Sequence, residues 1–274
     1  MMTEDVAAHY AGDGSLAERI LGSLQRGGKD IGTLTTADLA PVDEFHIRGS
    51  KATLELAGQM KLDAASRVLD IGSGLGGPAR TLAEAYGCHV TGIDLTQAFC
   101  DAAQAFSERL GLDGKTAFRQ GDATDLPFED DSFDAAMTIH VAMNIAAKDR
   151  LYREARRVVK PGGIFAVYDV LQGEGGEVLF PVPWAREPAM SHLAMPDEMT
   201  GLLGDAGFAI LDVQDSTEES VSWFEAIAAR MAEPGVTAIS SQVLFGEDFA
   251  AMVANQVRNL SERRIRTVSF ICRT

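Results

Sequence analysis

From about residue 66 the chain alternates short apolar runs with stretches of helical period. RVLDI at 67–71 is apolar on both faces and predicts a buried strand. A glycine-rich loop follows, then a helix over Ala79–Tyr86 and a second strand, HVTGIDL, over 89–95. Residues 97–110 set Phe99, Ala102, Ala103, Phe106 and Leu110 on one side of a helix. TAFRQGD predicts a third strand, and FDAAMTIH at 133–140 a fourth. A helix over 149–159 ends at the breaker KPGG, before a fifth strand, IFAVYDV, at 164–170. This alternation implies βαβ units and a mostly parallel sheet.

The regularity stops at 171–196, which holds four prolines, Trp184 and several glycines and reads as a long loop. DEMTGLLGDAGF then predicts a short helix and AILDVQD a sixth strand. Residues 218–232 and 247–262 read as helices, and IRTVSFICR at 265–273 as a terminal strand. The first 60 residues are largely helical in pattern, with loops around Gly27–Gly28 and Gly49. The expected organisation is an N-terminal helical lid segment over 1–60. An α/β domain over 61–274 follows, with lid insertions at about 171–196 and 216–262. Such additions lie naturally over the carboxyl ends of the strands, where open α/β sheets bind ligands.

Composition narrows the function classes. The 274 residues are 46% hydrophobic and 23% charged, an ordinary globular balance. No apolar run is long enough for a membrane helix, and MMTEDVAAHY lacks the features of a signal peptide. The three cysteines, Cys88, Cys100 and Cys272, lie far apart with no CxxC pattern, which argues against disulfides and zinc and for a cytoplasmic setting. A formal charge of −16 disfavours nucleic acid as a partner. The basic groups Arg153, Arg156, Arg157 and Arg263, Arg264, Arg266 read as solvated surface. No His/Asp/Glu cluster has metal-ligand spacing.

The strongest local signal is VLDIGSGLGG at 68–77. Gly72, Gly74 and Gly77 satisfy GxGxxG, with Asp94 at the end of the second strand as the acidic residue for ribose hydroxyls. A nicotinamide dinucleotide and S-adenosylmethionine are rival ligands. Asp70, two residues before Gly72, would repel a pyrophosphate but suits a cationic amino group. In Gly121-Asp122-Ala123 a carboxylate and the next N–H can address an adenine edge. No Tyr-x-x-x-Lys pair for hydride chemistry occurs. For Asp94 and Asp122 a helix cap or Asx turn is the purely structural alternative, and for the glycines a tight turn.

LDIGSGLGG, TGIDLT, GDATDLPFEDDSFD and RVVKPGG stand in the order and spacing of the class I S-adenosylmethionine-dependent methyltransferases, which the chain resembles over 66–170. It is most similar to the ubiquinone/menaquinone C-methyltransferase-like group. HVAMNI and FPVPWA resemble enzymes described as sarcosine/dimethylglycine N-methyltransferase-like. The resemblance implies an α/β, doubly wound, mostly parallel seven-stranded sheet with a helical lid, its last strand antiparallel. It also implies S-adenosyl-L-methionine as cofactor. By position, Gly72 and Gly74 would meet the methionine part, Asp94 the ribose, Leu95 the adenine face, and Asp122 and Ala123 the adenine edge.

Methyl transfer from a sulfonium needs alignment and exclusion of water, and a base only if the nucleophile arrives protonated. His140, closing the fourth strand, is the candidate base; holding cofactor or substrate, or shaping the pocket, are its other readings. Asn144 could face the same pocket or cap a turn. Tyr10 could cover the methyl site, beside His9, Phe45, His46 and Gly49. Arg48 could pair with the cofactor carboxylate or with Asp43 or Glu44. Trp184 and His192, with Met190 and Met195, either line a substrate pocket or form the core of the lid. His89 and Cys88 read as structural. The expected acceptor is a small amine or a quinol/phenol-type metabolite. A nicotinamide-dependent oxidoreductase and a non-catalytic binding module are the alternatives, and homo-oligomerisation is left open.

Overall fold

A computed structural model describes residues 15–231, 244 and 246–274. Three helices open it: α1 (Leu16–Arg26), α2 (Thr36–Asp43) and α3 (Gly49–Ala57). Ser15 with Glu18 and Thr35 with Asp38 form capping boxes at the first two. The α/β core follows as β1 (Arg67–Ile71), α4 (Gly77–Tyr86), β2 (His89–Asp94), α5 (Gln97–Arg109), β3 (Thr116–Gln120), β4 (Phe133–Ile139), α6 (Lys148–Val158) and β5 (Val159–Gln172). It ends in α7 (Pro196–Asp205), β6 (Ala209–Asp215), α8 (Thr217–Met231), α9 (Phe249–Ser261) and β7 (Ile265–Arg273).

The seven strands order as β3-β2-β1-β4-β5-β7-β6. The sheet is mixed: β3 through β5 pair in parallel, whereas β7 runs antiparallel between β5 and β6. The order reverses beside β1, so the carboxyl ends of β1 and β4 flank the crevice typical of ligand sites. Two expectations are corrected. Gly49 starts α3 rather than lying in a loop. KPGG does not precede β5 but bulges within it: Val159 pairs with Phe133, and the next partners are Ile164 and Ala135.

Strand alternation builds a core on each face. Leu69, Ile71, Phe165, Val167 and Phe270 pack under Leu151, Ala155, Met199 and Leu203 of α6 and α7. Val68, Val90, Met137, Ala166 and Ile271 pack under Ala52, Leu56, Ala79 and Leu82 of α3 and α4. The helix α6 is strongly amphipathic, burying Leu151, Tyr152, Ala155 and Val158 while its arginines stay outside. The helices α1 and α2 bury Ile20, Leu24, Leu39 and Val42 against Leu75 and Phe106, which fixes them over α5 and the glycine turn. The segment 178–185 packs Trp184 and Val182 against Ile47, Val170, Leu260 and Ile265.

Candidate active site

The turn after β1 is built from backbone. The N–H groups of Gly72 and Ser73 both donate to Ile93 O, at 2.7 and 3.0 Å, locking the turn onto β2. Gly72 (φ 77°) tolerates no side chain, since a Cβ there would stand 2.3 Å from Val141 Cγ2. Gly74 (φ 53°) donates its N–H to Asp94 Oδ2 at 2.9 Å, and Thr96 N–H donates to Asp94 Oδ1 at 2.9 Å. Asp94 therefore closes an Asx turn onto Thr96, just before α5, and ties the glycine turn to the end of β2 at the same time. Burial raises its carboxyl above the ordinary range. Beside it Leu95 is 52% exposed.

Behind the turn lies a buried polar group. Asp70 is buried on the α3/α4 side of β1, and its Oδ2 finds no hydrogen-bond partner among the described residues. Burial, then the nearby Asp94 and Glu44 charges, push its carboxyl up to about 8. Glu44 is buried between two hydroxyls, accepting from Thr53 Oγ1 at 2.6 Å and from Thr81 Oγ1. Burial brings its carboxyl to about 7. Asp43 pairs with the fully buried Arg80 guanidinium at 2.6 Å. These contacts fasten the segment after α2 onto α4, directly beside the glycine turn.

His140 takes a left-handed turn (φ 54°) as the chain leaves β4, with its N–H on Tyr168 O at 2.8 Å. Its ring lies 5.0 Å from that of Tyr168 and 5.8 Å from that of His46. His140 Nε2 and Tyr168 Oη are both buried without a partner among the described residues. Burial, with the His46 charge, holds the His140 imidazole well below its usual range, so it is neutral at physiological pH. His46 is held down to about 4, chiefly by burial.

The turn after His140 is fixed by residues that sequence reasoning missed. Asp169 is buried in β5, its Oδ1 accepting from the Val170 N–H at 2.8 Å and its Oδ2 without a partner among the described residues. Lys148 Nζ donates to Ile145 O at 2.7 Å and to His192 O. On the other side Asn259 donates to Leu179 O and accepts from its N–H, both at 2.9 Å, and Asn255 holds Pro181 O. Neither periodicity nor motif marks the reach of Lys148 to His192 O, of Asn255 to Pro181 O or of Asn259 to Leu179, because sequence spacing does not connect them.

The structure brings Asp70, Gly72, Gly74, Asp94, Leu95 and His140 to one end of the sheet. Asp122 sits at the end of β3, where its Oδ1 accepts from the N–H and hydroxyl of Thr124 in an Asx turn; Ala123 packs against the core. Asn144 donates to Trp184 O at 2.7 Å and Met190 O at 3.3 Å, stapling the 184–190 loop. Trp184 is buried in the core of that loop, its Nε1 on Ser191 Oγ at 3.0 Å. His192 lines a surface groove of about 380 Å³ with Phe180 and Leu193. Arg48 pairs with Glu55 instead of Asp43 or Glu44. Tyr10 lies outside the described residues. Among the described residues no acidic, histidine and cysteine cluster is arranged for a metal, and no helix is long and apolar enough to cross a membrane.

Residues 69–167 match the family model of a methyltransferase domain. The chain is 41% identical over 116 residues to a sterol 24-C-methyltransferase of Gibberella zeae, covering 42% of this chain and 30% of that protein. It is 28% identical over 225 residues to the methyltransferase GfsG of Streptomyces halstedii, covering 77% and 79%. The crystal structure of the cyclase SpnF superposes with a TM-score of 0.65 at 25% identity, covering 92% and 96%. The chain spans less than half the length of the sterol methyltransferases it matches. These relatives support the methyltransferase likeness, but not specifically a ubiquinone/menaquinone-type or sarcosine-type one. Residues 69–167 thus match a methyltransferase domain, on a fold shared with a geranyl diphosphate methyltransferase solved in complex with S-adenosylmethionine (TM-score 0.65, 17% identity, covering 82% and 84%).

Proposed function

We propose that the protein transfers a methyl group from S-adenosylmethionine to a small-molecule acceptor held between the glycine turn and the 178–193 loop. The observation that carries this reading is the backbone-built turn joined to Asp94, with Asp70 Oδ2 buried behind it and unpartnered among the described residues. The residues present fit such a cofactor. Asp70 offers a buried carboxyl that an ammonium beside it would ionise, Asp94 retains lone pairs for ribose hydroxyls, and Leu95 offers an exposed apolar face to a base.

When bound, the cofactor supplies a methyl group on a cationic sulfonium. The protein's part is to align the nucleophile with that methyl and exclude water. His140, neutral and fixed by Tyr168 and the turn behind it, orients rather than takes a proton, since its depressed pKa makes it a weak base. Lys148 and Asn144 hold the acceptor-side loop in register with His140. The acceptor class is a small amine or a quinol- or phenol-type metabolite. The N-terminal helices and the insertions at about 171–196 and 216–262 act as the lid, residues 232–243 and 245 of the last lying outside the described residues.

The test is a coupled S-adenosylhomocysteine-release screen over amines, phenols, quinols and sterols, with calorimetry of cofactor binding alongside. Turnover with one class supports the proposal. Tight cofactor binding without release of S-adenosylhomocysteine on any acceptor would refute it in favour of a binding scaffold.

A further inference from the structure

The chain passes from β2 to α5 through residues 94–96, and this passage is held from three directions. Gly121 N–H donates to Asp94 O at 2.9 Å. The Asp94 carboxyl accepts from the N–H groups of Gly74 and Thr96, each at 2.9 Å. The third hold is a side chain: Gln120 Nε2, at the end of β3, donates to Leu95 O at 2.9 Å across 25 residues. Asp94 and Gln120 are partners in the β2–β3 register, which brings the amide alongside the peptide that follows Asp94. Gln120 is exposed and β3 is an edge strand, so this amide sits at the rim of the sheet rather than in its core.

A hydrogen bond at an exposed rim competes with water and adds little to the stability of the fold. What it does supply is orientation. An apolar side chain on a fixed peptide offers its face to a ligand without first losing backbone freedom, and such pre-organisation appears as affinity. We propose that Gln120 is a positioning residue for the cofactor: its amide holds the Leu95 peptide so that the Leu95 side chain lies against the adenine of S-adenosylmethionine. This rests on the cofactor reading above. Gln120 acts through Leu95 and not on the ligand, and the group it needs is the amide N–H, because the Leu95 carbonyl can only accept.

The experiment is calorimetric titration of the full chain with S-adenosylhomocysteine and, separately, with adenosine; neither needs turnover. Gln120→Ala is expected to weaken both ligands by the same factor, roughly threefold to tenfold, the scale for one hydrogen bond. Gln120→Glu should lose at least as much, because it keeps the length and the planar end but has no proton to give. In a Leu95→Ala background, Gln120→Ala should change nothing further, since the side chain it positions is already gone. Gln104→Ala, which removes another exposed amide, one bonded to Glu108 on α5, should bind as the parent does. All the Gln120 variants should melt near the parent temperature. Equal affinity for the parent and both Gln120 variants would overturn the proposal. So would a full Gln120→Ala loss that persists without the Leu95 side chain, or unfolding of both Gln120 variants, since the fold would then require the bond. Failure of the parent chain itself to bind S-adenosylhomocysteine would instead refute the cofactor reading, and this inference with it.

Discussion

Asp70→Asn tests the electrostatics of the site most directly. Asp70 is fully buried with one carboxyl oxygen unpartnered among the described residues, and burial moves it from an ordinary 3.8 to about 8. A carboxyl raised in the folded state binds its proton more tightly there than when unfolded. The stability it allows is therefore complete below pH 3.8 and is lost as the pH climbs towards 8. At about 1.4 kcal/mol per pH unit, the loss reaches about 4 kcal/mol at pH 7 and about 5 at pH 8. Against a typical total of about 5–15 kcal/mol, that is a large local cost. The amide of an asparagine carries no charge but leaves its donors unpaired, at about 1–3 kcal/mol. Urea unfolding should find parent and variant within about 1 kcal/mol of each other at pH 5. At pH 8 the Asp70→Asn variant should be the more stable by about 2–4 kcal/mol. Cofactor affinity should move the opposite way, weakened by the substitution and no longer rising between pH 6 and 8. Parallel stability profiles, or a variant less stable at every pH, would refute the view that this carboxylate is kept for a cation at the fold's expense.

Asp94→Ala should weaken S-adenosylmethionine by about 1.5–3 kcal/mol, the scale for hydrogen bonds to a charged acceptor. It should also lower Tm, because Gly74 and Thr96 lose the oxygens they donate to; unchanged calorimetric affinity in a folded variant contradicts the assignment. His140→Ala should raise KM for the cofactor or acceptor while kcat at saturation survives. The parent should keep its kcat as pH falls through 6.5, because burial keeps the imidazole neutral there. A kcat loss of about 10²-fold with unchanged KM would make His140 a base after all. Residues 16–49 and 171–196 should gain protection from hydrogen exchange when cofactor is added, and equal protection in both states would speak against a gating lid.

The α/β alternation, the glycine turn and the placement of Asp70, Asp94 and His140 at one end of the sheet were legible in the residues. Their causes are local: strand runs, a positive φ that favours glycine, and a side chain one step beyond a strand end. The antiparallel pairing of β7 was implied by the family resemblance rather than by any local signal, and its register on β5 and β6 is a tertiary fact. What only tertiary structure decided depends on groups distant in sequence. Asn144 is a staple because Trp184 O and Met190 O come to it across 40 and 46 residues. Trp184 is buried because Ile47, Leu260 and Ile265 cover it. Glu44 becomes a buried acceptor through Thr81, 37 residues on. Periodicity reports which face of an element is apolar, but the charge a carboxyl can hold depends on every group packed around it. That packing exists only once the chain has closed on itself.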